Sequence, residues 1–130
     1  MTAPHRRLVE RFFANLSTGV FEDDLLAPDM IFWSWTGGEA SRERFVGGVR
    51  MLQSLFPNGL SYTIDMLVAD QSRAATEVRS SGVLESGEPF QNVHVFTFGF
   101  RDGEIASVKE YQHPDPVRAV IVPLMQAKMR

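Results

Sequence analysis

The run KEYQHPDP, Lys109 to Pro116, places a carboxylate, a phenol, an amide and an imidazole at consecutive positions just before two prolines. Prolines cannot donate the hydrogen bonds of a strand ladder, so a strand ends near His113 and its last residues stand at a rim. Glu110 is the foremost candidate. A carboxyl group that loses hydration in an apolar enclosure favours its neutral form, and can then both give and take a proton. The plain alternative is a solvated carboxylate paired with Lys109 or a cross-strand arginine. His113 carries an imidazole, which titrates near neutrality and can shuttle protons. Positions 110 and 113 differ by an odd number, however, and face opposite sides unless a bulge or Pro114 re-aims His113. A rim or capping histidine is the plainer reading.

A second group precedes it. His94 shares parity with Asn92, Phe96 and Phe98, so that face is either a pocket or a helix-covered core, and a hydrogen-bonded structural histidine fits either. Asn92 can orient a ligand carbonyl or donate to a developing oxyanion, or equally tie its strand to a neighbouring loop. Trp33 and Trp35 share a face, as the wall for an aromatic or polycyclic ligand or as plain core; Phe96 and Phe98 are further wall candidates. Glu77 lies at even spacing from Arg79, where a salt bridge is easily made. Gly47 and Gly48 fall inside a helical pattern at a cost of about 1 kcal/mol each, which implies that a strand or a ligand approaches there.

Other chemistries lack support. The three histidines are scattered without ligand spacing and there is no cysteine, so no metal site is expected. Neither a phosphate-binding glycine loop nor a G-x-S-x-G elbow occurs, and no cofactor is expected.

The elements that position these residues follow from periodicity. PHRRLVERFFANL carries Leu8, Phe12, Phe13 and Leu16 on one helical stripe, with Thr2 and Pro4 suited to its start. STGVFEDDLLAPD predicts a turn and a short second helix, and MIFWSWTGG a strand ended by glycines. SRERFVGGVRMLQSLFP predicts a long helix capped by Ser41 and closed by Pro57. The period then changes to two, with Tyr62, Ile64, Met66 and Val68 on one face of LSYTIDMLVA. Three more strands follow, SRAATEVRSSGVL, PFQNVHVFTFGF and EIASVKEYQH, joined by short turns that include the hairpin signal RDG. Early helices and late antiparallel strands predict an α+β fold, a curved antiparallel sheet wrapped around the helices. The tail DPVRAVIVPLMQAKMR is apolar in its middle and is expected to pack on the sheet or on a second subunit.

Size and charge are ordinary. The 130 residues suit a single domain, 1–130, and 44% hydrophobic content supports one sizeable core. A net charge of −3 with interleaved signs gives no basic stripe for nucleic acid and no polybasic membrane patch. The N-terminal run MTAPHRRLVERFF reaches charged residues at once, and no stretch approaches a membrane span, so a cytoplasmic protein is the simplest expectation.

The order of elements resembles the nuclear-transport-factor-2-like superfamily, and within it the SnoaL-like group, a cone open at one end. The most specific stretch is GEPFQNVHVFTFGFRDGEIASVKEYQHPDPVRAVIVP, which is similar to the phenazine-biosynthesis A/B and ketosteroid-isomerase-like proteins. The resemblance implies an acid/base glutamate at Glu110. It places the family's partner histidine at Gly48, where the imidazole is missing, and the aspartate of many SnoaL-like proteins at His113. It also leaves open a paired-carboxylate arrangement of Glu77 with Glu110. The implied protein is a cofactor-independent isomerase, cyclase or dehydratase for an apolar cyclic carbonyl compound, with Tyr111 among the groups that orient it. The rival reading is a non-catalytic ligand-binding or homodimeric assembly module.

Overall fold

The computed structural model describes residues 3–129, so Thr2 lies outside the described residues. Helix α1 (Ala3–Thr18) buries Leu8, Val9, Phe12, Phe13 and Leu16. The expected second helix does not form; residues 23–25 make a turn instead. The acidic residues of that segment are drawn back onto α1. Arg11 binds Glu22 at 2.9 Å and Asp24 at 2.7 Å, and the Asn15 side chain accepts from the Glu22 N–H at 2.8 Å. The following Leu25, Leu26 and Ala27 are buried as the chain extends into β1 (Leu26–Ser34).

A short strand absent from the sequence reading, β2 (Gly38–Ser41), pairs back on β1. Helix α2 (Arg42–Gln53) starts at Ser41, whose hydroxyl accepts from the Arg44 N–H at 3.3 Å as an N-cap. The four later strands are β3 (Ser61–Ala69), β4 (Arg73–Val83), β5 (Pro89–Arg101) and β6 (Glu104–Gln112). The sheet order is β2-β1-β6-β5-β4-β3. Pairing is antiparallel along the meander, while β1 joins β6 in parallel, so the curved sheet is mixed. The RDG turn is tight, with Asp102 and Gly103 both at positive φ (54° and 78°).

One face assignment changes along β3. The register shifts between Ile64 and Met66, a β-bulge at Asp65, and from there Leu67 and Ala69 turn inward while Met66 and Val68 turn out. An extra residue in one strand inverts every later side chain.

Phe12 is fully buried, its ring centroid 5.1–6.0 Å from those of Phe13, Phe45, Phe96 and Phe98. A smaller cluster of Leu55, Phe56, Leu60, Leu84, Phe90 and Ile121 forms separately. Ile121 belongs to the tail, which is helical through α3 (Pro114–Pro116), a π-helical turn (Val117–Ile121) and α4 (Val122–Lys128). Val117, Val120, Ile121 and Met125 of its apolar middle pack within the chain, while Val122 and Leu124 are exposed. Among the described residues no helix is long and apolar enough to cross a membrane.

Candidate active site

The space between the two apolar clusters is a cavity of about 250 Å³, at the small end of ligand pockets, which run to roughly 300–1,000 Å³. Its walls are mostly apolar: Leu16 and Phe45 on one side, Leu60 and Phe90 on the other, and Val117, Ile121 and Met125 from the tail. A larger hollow of about 630 Å³ on the outer side of the sheet, near Val68, Thr97 and Lys109, is open to solvent and lacks a buried titratable pair. The inner cavity is where the chemistry collects.

Alternation along β4, β5 and β6 sends Ser80, Asn92, His94, Phe96, Glu110 and Gln112 to that cavity. His94 and Glu110 are diagonal neighbours across the β5–β6 pair, where Phe96 stands opposite Glu110 and His94 opposite Gln112. The His94 Nδ1 lies 2.7 Å from Glu110 Oε2, and its Nε2 lies 2.8 Å from the Ser80 hydroxyl. Their side chains are only 7% and 15% exposed, so solvent screens the pair weakly. With Glu110 ionised, Nδ1–H donates to the carboxylate and Nε2 accepts the Ser80 proton. Oε2 is thereby engaged, and among the described residues Glu110 Oε1 has no hydrogen-bond partner. Glu110 is further held by its main chain, whose carbonyl accepts from the Trp35 N–H at 2.9 Å.

Tyr62 completes the polar group. Its hydroxyl makes no hydrogen bond among the described residues and its side chain lines the cavity. Burial pushes its phenol well above the ordinary tyrosine range, and the nearby Glu110 charge pushes the same way. It stays a neutral donor at any working pH.

The other predicted residues divide by face. Asn92 lines the cavity, but its amide is committed: Nδ2 donates to the His113 carbonyl at 3.1 Å and Oδ1 accepts from the Val93 N–H at 2.8 Å. It ties β5 to the end of β6. Phe98 is core behind the cavity. Trp33, Trp35 and Tyr111 do not line it; they pack together on the outer face, with the Trp33 ring 6.4 Å from Trp35 and 5.1 Å from Tyr111. The parallel register of β1 on β6 puts Phe32 and Ser34 inside instead. His113 is exposed on the outer side as the residue that starts α3, as alternation requires. Glu77 is also outside, so no Glu77–Glu110 carboxylate pair forms. Arg79 binds Asp65 in a fork at 2.7 and 2.8 Å rather than Glu77, because the bulge brings Asp65 alongside.

Gly48 lines the cavity, and a methyl group built on it would meet no protein atom within 4 Å. The same holds for Gly47, so no strand approaches this helix at the glycine pair. An imidazole enters from β5, on the opposite wall.

The sequence pattern of the SnoaL-like domain family matches residues 9–108. The chain belongs to the SnoaL-like family. Among solved structures it is similar to an NTF2-like protein from Anabaena variabilis, at 25% identity over 85% of this chain and 87% of that one, TM-score 0.73. It is similar in fold to IdmH, a putative polyketide cyclase from Streptomyces antibioticus, at 20% identity over 90% and 96%, TM-score 0.78. An epoxide hydrolase of the LEH-like type from M. tuberculosis shares the fold at 20% identity over 94% and 93%, TM-score 0.72. No curated protein matches the chain.

Within this SnoaL-like cone, sequence reasoning missed Ser80, Tyr62, Phe32 and Ser34. Tyr62 and Ser80 were within reach of it, since they lie opposite each other across β3 and β4 and share the inward parity of Val78. Phe32 and Ser34 were not. The run MIFWSW is bulky on both parities, and only pairing with β6 decides which one faces in.

Proposed function

We propose that this SnoaL-like chain is a small acid/base enzyme, an isomerase, cyclase or dehydratase, acting on an apolar cyclic carbonyl compound. The observation that carries the reading is the hydrogen-bonded chain Ser80–His94–Glu110 opening, through a free carboxylate oxygen, into a mostly apolar cavity. In the proposed step Glu110 Oε1 takes the proton from the carbon next to the carbonyl. The electron pair moves onto the carbonyl oxygen, Tyr62 donates to that oxygen, and the proton returns at another carbon or leaves with a hydroxyl as water. His94 stabilises the carboxylate, and Ser80 fixes which imidazole nitrogen carries hydrogen. Ser80 is not read as a nucleophile: at 1% exposure no acyl group reaches its oxygen.

The test is exchange of the C2 protons of 1-tetralone in D2O, followed by proton NMR. Wild-type protein accelerates exchange, and Glu110→Gln, which keeps shape but not basicity, loses roughly 10²–10⁴-fold. Undiminished exchange by that variant would sink the assignment.

A specific observation also favours assembly as a homodimer. The outer face exposes Val93, Val95, Trp35 and Tyr111, with Trp35 58% exposed. Val95→Lys, tested by sedimentation, yields a folded monomer where the wild type sediments as a dimer; equal sedimentation of the two overturns this reading.

A further inference from the structure

The proposed reaction uses Glu110, His94 and Tyr62 and leaves one charged group of the cavity unexplained. Arg44 lines the cavity from the first turn of α2, and among the described residues it is the wall's one lysine or arginine. Among the described residues it makes no ion pair, and its side chain makes no hydrogen bond. Arg11, Arg79 and Arg101 are each matched to a carboxylate, whereas Arg44 is one of several described arginines that are not, and the one of those that lines this cavity.

Arg44 also stands in a particular row. Arg44, Gly48 and Leu52 recur at i, i+4 and i+8, one stripe of α2, and all three line the cavity. The middle member has no side chain, although glycine there weakens the helix, and the space beside it holds no protein atom. The same cavity is also lined by small residues at Gly37, Gly38 and Ala40. The absent side chain at Gly48 leaves a lane along this stripe of α2 toward the unmatched Arg44 guanidinium.

We infer that the substrate of the proposed reaction carries an oxyanion, a carboxylate or a phosphate, on the end remote from its reacting carbonyl, and that Arg44 binds it across the Gly48 gap. This rests on the acid/base reading for the position of the carbonyl. A planar guanidinium suits such a group because it offers two parallel donors to two oxygens. Since Arg44 is exposed, the gain is modest and sensitive to salt. The anion selects the ligand and sets its direction in the cavity.

The experiment is calorimetric titration with 1-tetralone-6-carboxylate, its 6-carboxamide and its 6-phosphate ester at low and high salt. The carboxylate is expected to bind wild-type protein about five- to tenfold tighter than the carboxamide, with the preference shrinking at high salt. Arg44→Gln removes the preference by weakening the carboxylate more than the carboxamide, and Arg44→Lys restores part of it. Gly48→Leu, which places a better helix former in α2, keeps the fold and weakens all three probes. The phosphate arm tells the two sources apart: tighter binding than the carboxylate assigns the lane to phosphorylated ligands. Equal affinity for carboxylate and carboxamide, a preference that survives Arg44→Gln, or no binding of any probe to folded protein overturns the inference. Exchange at C2 is read separately, so a carboxylate preference without exchange sustains the lane while the acid/base reading fails.

Discussion

The two faces of one sheet are built from the same strands and hold their polar groups in opposite ways. Inside, Ser80, His94 and Glu110 form a closed chain at 2.8 and 2.7 Å in which each member depends on the next. Outside, Glu77, Arg79, Asp65, Lys109 and His113 are solvated, and their one fork, Asp65 with Arg79, sits in water. Burial is the difference. An inner polar group that loses its partner has no water to replace it, whereas an outer one has. Chemistry that needs a fixed proton position can therefore be held only on the inner face.

The sharpest way to break that contrast is to make the same change on both faces. Glu110→Gln and Glu77→Gln each remove one carboxylate charge from the sheet. The inner change is expected to lower C2 exchange by at least about 10²-fold, and the outer one to leave it unaltered. Comparable losses from both would mean that net charge, not position, supports the reaction.

The next effect is on stability. Ser80→Ala deletes the hydroxyl that satisfies His94 Nε2 and leaves a buried nitrogen without a partner, at a cost of about 1–3 kcal/mol in urea unfolding. Its neighbour Ser81 is exposed on the outer face, and Ser81→Ala is expected to stay within about 0.5 kcal/mol. Ser80→Ala should also move the pH profile of exchange, which a purely structural serine would leave in place. An unshifted profile reduces Ser80 to packing.

What the sequence made legible follows the same division. The long strands and the parity of β5 and β6 were readable, because Asn92, His94, Phe96 and Phe98 alternate cleanly with more polar or smaller neighbours. That parity grouped His94 with Asn92, Phe96 and Phe98 and set Glu110 and His113 on opposite faces, while the β5–β6 register that brings His94 to Glu110 came only with the structure. Faces failed wherever parity was broken or ambiguous. The bulge at Asp65 inverted Met66 and Val68, and the doubly aromatic β1 hid which of Phe32 and Trp33 points inward. The second helix failed because Glu22 and Asp24 bind Arg11, and the segment closes only a single turn rather than a helix. The Ser80–His94 contact joins residues 14 apart in sequence, which no local pattern announces.

The smallest effect lies in the outer fork, and its sign is fixed. The Arg79 guanidinium hydrogen-bonds Asp65 and holds its carboxyl below the ordinary aspartate range, and Arg79 is shifted upward in return. A carboxyl whose folded pKa is depressed adds stability above its unfolded value, about 3.9, and loses it as pH falls through the lower folded value. Thermal unfolding of wild type and Asp65→Asn should therefore differ slightly and constantly above about pH 5 and converge as pH falls through the lowered folded value. Both groups are solvent-exposed, so the gap should also narrow in high salt, as it does for surface pairs. A gap that instead persisted unchanged in salt and acid would place Asp65 in a role other than the ion pair, since in acid neither the aspartic acid nor the asparagine carries a charge for Arg79 to bind.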